Sequence, residues 1–114
     1  MNDSCVFCKI RDGEIPGEIL HQDEHCFVIR DINPLAPVHL LVIPLKHFAV
    51  LSEVESDFDA TMGAMFDAAR NMAAAEGVAQ SGYRLVINQN RDGGQDVFHL
   101  HLHVIGGRRL GMPV

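Results

Sequence analysis

The sequence has no tryptophan, one tyrosine and only three cysteines among its 114 residues. An odd cysteine number in so short a chain does not build a disulfide framework and fits reduced thiols. Basic residues are also scarce, with 9 Lys+Arg against 15 Asp+Glu and a net charge of −6. That balance excludes a protein that coats a nucleic-acid polymer through a basic face, so any phosphate must be held locally, by backbone N–H groups and imidazoles. Long apolar runs are lacking too: the longest, around Leu40-Leu41-Val42-Ile43, stops at Pro44, far short of the ~20 residues of a membrane span. The start, Met1-Asn2-Asp3-Ser4, carries no basic n-region and no apolar run follows it. A cytoplasmic protein without a membrane partner is expected. No repeat, low-complexity tract or linker is visible. One domain over residues 1–114 is expected, with a radius of gyration of about 13 Å.

What is present reads as an α+β chain. Ser4 is placed to N-cap a short helix at about residues 5–11, ended by Gly13 and the Ile15-Pro16-Gly17 turn. Strands are expected at Ile19–His21, Cys26–Arg30 and His39–Ile43, the last closed by Pro44. Phe58, Met62, Met65, Phe66, Ala69, Met72 and Ala73 recur at three- and four-residue spacing, which predicts a long helix from near Ser56 with Gly77 just past its end. That stripe suits core or subunit packing. Tyr83–Gln89 and Phe98–Ile105 complete the strands around a glycine-rich turn at Asn90–Gln95. Runs of strands without strand–helix alternation imply a five-stranded antiparallel sheet with one long and one short helix.

Three of the seven histidines form His99-Leu100-His101-Leu102-His103-Val104-Ile105. Strand alternation puts the three imidazoles on one face, about 6.6 Å apart, and sends the aliphatic residues into the core. Three charged rings at that spacing repel, so they are not expected to be charged together. A neutral imidazole keeps a lone pair, usable as a nucleophile or as a metal ligand. A His-x-His strand pair suits a metal centre, for which His39 is the distant third histidine. Gly93-Gly94 directly upstream points the other way, because paired glycines let successive N–H groups converge on anionic oxygen. A phosphoryl group delivered to an imidazole uses such a cradle.

His99–Ile105 fits the His-φ-His-φ-His-φ-φ signature throughout, and the chain resembles the histidine triad (HIT) family. Ile15-Pro16, Asp31–His39, Leu41–Pro44 and Gly93-Gly94-Gln95 are similar to its Hint branch, the nucleoside phosphoramidate hydrolases. The resemblance implies that His101 is the nucleophile. It would attack the α-phosphorus of a purine nucleoside 5′-phosphoramidate or acyl-adenylate and form a nucleotidyl-histidine, from which water releases AMP or GMP. By the same likeness His103 binds phosphate oxygen, and His99 and His39 orient the site. Asp31 accepts from the ribose hydroxyls, beside Ile32, and Asn88 lies near the leaving group. Gly94, Gln95 and Val97 offer backbone N–H groups, and Val6, Phe7, Ile10, Ile29, Ile32 and Leu41 form the purine slot. Asp96 departs from a serine common in the family at that position, and a carboxylate there favours a cationic leaving amine. The resemblance also implies a homodimer whose sheets join into ten strands. It requires no cofactor for catalysis. It does allow a structural zinc on Cys5, Cys8, His47 and His99; a pair of free thiols is the alternative. A nucleotide-binding sensor with incidental hydrolysis, or a zinc hydrolase, would carry the same motifs.

Overall fold

The computed structural model describes residues 4–112. Its elements are α1 (Val6–Arg11), β1 (Ile19–Gln22), β2 (Cys26–Arg30), β3 (Val38–Pro44), a 3₁₀ turn (Leu51–Glu53), α2 (Phe58–Ala75), β4 (Tyr83–Val86) and β5 (Leu102–Gly106). The strands form one antiparallel sheet in the order β1-β2-β3-β5-β4. The radius of gyration is 13.7 Å.

Strand alternation divides the core in two. Val28, Leu40, Val42, Leu102 and Val104 face α2, where Met65, Ala69 and Ala73 cover them. Phe27, Ile29, Leu41 and Ile43 face the other way, under Phe7 and Cys8 of α1. Each fully buried aliphatic side chain contributes about 2 kcal/mol, so β2 and β3, buried on both faces, anchor the sheet. Arg30 at the end of β2 forks onto Glu76 beyond α2, at 2.6 and 3.1 Å. Gly77, at φ 80°, takes the left-handed position after that helix.

Several expected boundaries move. Cys5, not Ser4, caps α1, because its Sγ accepts from the Cys8 N–H at 3.2 Å. α2 begins at Phe58, two residues later than the sequence suggested. On it Met62 and Phe66 remain exposed, so the apolar stripe exceeds what the sheet covers. β4 ends at Val86 rather than Gln89, and Gln89 instead accepts the Leu51 N–H through Oε1. The largest difference is in β5, which starts at Leu102. Residues 98–101 approach the sheet outside the ladder, with the Leu100 N–H donating to the Phe48 carbonyl.

Candidate active site

Leu102 and Val104 occupy the α2 face of β5, so His103 between them faces the α1 side. Opposite, on β3, Leu41 pairs with His103 and His39 with Ile105. His39 and His103 are thus diagonal neighbours, and His39 Nε2 lies 2.9 Å from His103 Nδ1. A backbone group fixes the direction of this pair. The Leu35 N–H donates to His39 Nδ1 at 3.0 Å, so in the neutral ring the proton is on Nε2 and is donated to His103 Nδ1. Neutral His103 then carries its own proton on Nε2. That atom is buried and has no hydrogen-bond partner among the described residues. Burial pushes the His103 imidazole down to about 4, helped by repulsion from His101 and His39, and burial lowers His39 as well. Both rings are therefore neutral at pH 7, and the pair leaves one N–H, on His103 Nε2, without a partner among the described residues.

His101 is oriented separately. Its Nδ1 lies 2.8 Å from the His99 carbonyl, which can only accept, so the free lone pair of the neutral ring is on Nε2. Phe7 of α1 packs edge-on against it, with centroids 5.1 Å apart, and its centroid is 4.9 Å from that of His103. His101 and His103 both line one cavity of about 230 Å³. Val6, Phe7, Ile10, Ile29, Ile32 and Leu41, the residues the resemblance assigns to a purine slot, all line it. Ile32, 91% exposed, is a projecting lip and not core. Asp31 lines the cavity too. Its Oδ1 accepts the Asn33 N–H at 2.8 Å, and Oδ2 is 3.4 Å from His39 Nε2, so turn chemistry and a site role coexist in one carboxylate.

The glycine-rich turn corrects two expectations. The Gly94 and Gln95 N–H groups donate to the Arg91 and Asn90 carbonyls and are spent inside the turn. The Gln95 side chain is a buried brace: Nε2 donates to the Ala49 and Val97 carbonyls, and Oε1 accepts from Asn90 N–H. Gly93 is required by contact, since a Cβ there would sit 2.5 Å from the Gln89 carbonyl oxygen. Only Asp96 and Val97 of this segment reach the cavity wall, and Asn88 does not line it.

His99 turns away from its two companions. Its ring is fully buried, and Nε2 donates to the Pro44 carbonyl at 2.8 Å. Nδ1 thereby keeps its lone pair, which points at Cys5 Sγ (3.3 Å), Cys8 Sγ (3.5 Å) and His47 Nδ1 (3.1 Å). Cys8 Sγ is also 3.3 Å from His47 Nδ1. Tetrahedral zinc, with bonds of about 2.3 Å to sulfur and 2.0–2.1 Å to nitrogen, gives ligand–ligand edges of roughly 3.3–3.8 Å. The four donors come close to those edges and lie within 4.8 Å of one another, so the residues fit the metal. A second group, Asp31, His39 and His103, also meets that spacing, but there Leu35 N–H occupies His39 Nδ1 and the two rings hydrogen-bond each other.

A sheet of this order, with a histidine triad entering its β5 edge-on to a short helix, defines a class. The chain belongs to the HIT domain family, whose model matches residues 12–110. It is 42% identical over 111 residues to the purine nucleoside phosphoramidase of Escherichia coli (strain K12), covering 97% of this chain and 93% of that protein. The crystal structure of a HIT family hydrolase from Legionella pneumophila superposes with a TM-score of 0.92 at 45% identity, covering 96% of this chain and 98% of that one. A zinc-bound histidine triad family protein from Mycobacterium smegmatis matches with a TM-score of 0.81 at 35% identity, over 95% of this chain and 78% of that one.

Proposed function

We propose that the chain hydrolyses the P–N bond of purine nucleoside 5′-phosphoramidates through a covalent nucleotidyl intermediate on His101. The observation that carries this reading is the free Nε2 of His101, fixed by the His99 carbonyl beside the unpartnered Nε2–H of His103. The relative named for purine nucleoside phosphoramidase activity supports it. The nucleoside occupies the apolar cavity with its ribose toward Asp31. In the first step the Nε2 lone pair forms a bond to phosphorus, the P–N bond breaks, and the amine leaves with the electron pair, taking a proton from solvent. Water then attacks phosphorus, the P–Nε2 bond breaks with its electron pair returning to the ring, a proton of the water passes to solvent, and AMP or GMP is released. The His99 carbonyl stabilises the ring while it carries charge, and His103 Nε2–H donates to phosphoryl oxygen. A preorganised donor of this kind is typically worth about 3–4 kcal/mol in the transition state. Asp96 and Val97 form the phosphate end of the wall; Asn88, Gly94 and Gln95 act through the turn that shapes it.

Zinc held by Cys5, Cys8, His47 and His99 would cross-link α1 to the triad segment, a structural role with all four positions filled by protein. No step of the reaction needs it. We further read residues 1–114 as one HIT domain of a cytoplasmic homodimer; no helix among the described residues is long and apolar enough to cross a membrane. β4 lies at an edge of the sheet, and its Leu85 is exposed, as are Met62 and Phe66 of α2. Pairing through that edge into a ten-stranded sheet would cover them. The test is a panel of adenosine and guanosine 5′-phosphoramidates. The protein should release AMP and GMP, and His101→Ala should release neither while changing AMP affinity by less than about fivefold. Nucleotide binding without turnover by the unaltered chain would leave the sensor reading in its place.

A further inference from the structure

The carboxylate of Asp96 is not used by the chemistry above, yet its Oδ1 is 3.8 Å from His101 Nε2 and its side chain is 79% exposed. It stands between two cavities. One is the nucleotide cavity; the other, about 350 Å³, shares Val6, Asp96 and Val97 with it and is completed by Ser4, Cys5, His47 and Phe98. No lysine or arginine is among the described residues lining this second space. Phe98 is half exposed and offers an aromatic wall. A carboxylate beside an anionic phosphoryl group opposes binding unless a cation intervenes. Carboxylate and aromatic ring in one pocket are the two surfaces that an alkylammonium seeks.

We infer that the second cavity receives the leaving amine and that Asp96 and Phe98 make the enzyme prefer amines bearing an additional ammonium group. The inference rests on the phosphoramidase reading and names the substrate class of that site. The bonds made and broken are those already given; only the amine's substituent is selected.

Three adenosine 5′-phosphoramidates of equal arm length test it, made from 1,4-diaminobutane, 4-aminobutanol and 4-aminobutyrate. Each kcat/KM is taken relative to unsubstituted adenosine 5′-phosphoramidate, so a general effect on phosphate binding cancels. The unaltered enzyme should favour the ammonium arm over the hydroxyl arm by about three- to tenfold and disfavour the carboxylate arm. Asp96→Asn should bring the three within about twofold, Asp96→Lys should invert the order, and Phe98→Leu should roughly halve the ammonium preference. Because the carboxylate is exposed, the preference of the unaltered enzyme should also shrink between 20 and 500 mM salt. This readout survives even if a variant fails to fold. Equal ratios for all three arms, or ratios unmoved by Asp96→Asn, Asp96→Lys and salt, would overturn the inference and leave the phosphoramidase reading intact. Failure to turn over any phosphoramidate would instead remove the reading beneath it.

Discussion

His103 illustrates how one residue's state is set by atoms far from it in sequence. Leu35 N–H fixes His39, His39 fixes His103, and the proton ends on His103 Nε2, the ring atom left without a partner among the described residues. His103→Ala removes that donor and should lower kcat by about 10²–10³, with a smaller effect on nucleotide affinity, as steady-state kinetics and AMP titration would show. The same residue makes stability depend on pH. Its ring is held near 4 in the folded protein, against about 6.5 in the unfolded chain. Between those values the unfolded chain binds a proton that the folded one refuses. Stability is therefore full above about pH 6.5, is lost as pH falls toward 4, and is flat below. The contribution is on the order of 2–3 kcal/mol after allowance for partial exposure. Denaturant midpoints measured from pH 7.5 to 4 should fall, and should fall less in His103→Asn; equal slopes would contradict the assignment.

At the scale of elements, α1 has two jobs on two faces. Cys5 and Cys8 meet His47 and His99, while Val6, Phe7 and Ile10 line the nucleotide cavity. Cys5→Ser with Cys8→Ser should abolish stoichiometric zinc in the purified protein and weaken AMP binding several-fold through a loosened wall. Metal analysis and calorimetric titration would measure the two effects separately. Unchanged AMP affinity would sever α1's two faces. A tail residue takes part as well: Arg108 Nη2 donates to the Leu35 carbonyl at 2.7 Å, clamping the loop whose N–H directs His39. None of this coupling was legible in the sequence. Alternation correctly sent Leu100, Leu102 and Val104 to the α2 side, and β2 and β3 were readable because their apolar runs are buried on both faces. Alternation could not say that His99 would desert its companions, since that depends on Pro44 and α1 arriving from elsewhere. The paired glycines signalled a special turn, but whether their N–H groups face a ligand or the turn's own carbonyls is decided by tertiary contacts. The proposed zinc set of Cys5, Cys8, His47 and His99 is implied by the family likeness and not by the spacing of Cys5 and Cys8 alone.

For the molecule as a whole, the sheet separates duties. One face packs on α2 and supplies most of the core; the other holds α1, the histidines and the cavity. With a net charge of −6, anion binding has to come from local donors, and here that means the Nε2–H of His103. The proposed assembly through β4 has its own check. Sedimentation equilibrium should give twice the chain mass, and Leu85→Asp should shift it toward the monomer, because a charge would be buried at the joined edge. A monomer before any substitution would contradict the ten-stranded sheet. The central claim, covalent capture at one ring, is most directly tested by intact-protein mass spectrometry of a rapidly quenched mixture with adenosine 5′-phosphoramidate. An adduct of one adenylyl group per chain, mapped to His101 and absent in His101→Ala, is the predicted result. AMP release with no adduct at any quench time under single-turnover conditions, or an adduct that persists in His101→Ala, would contradict it.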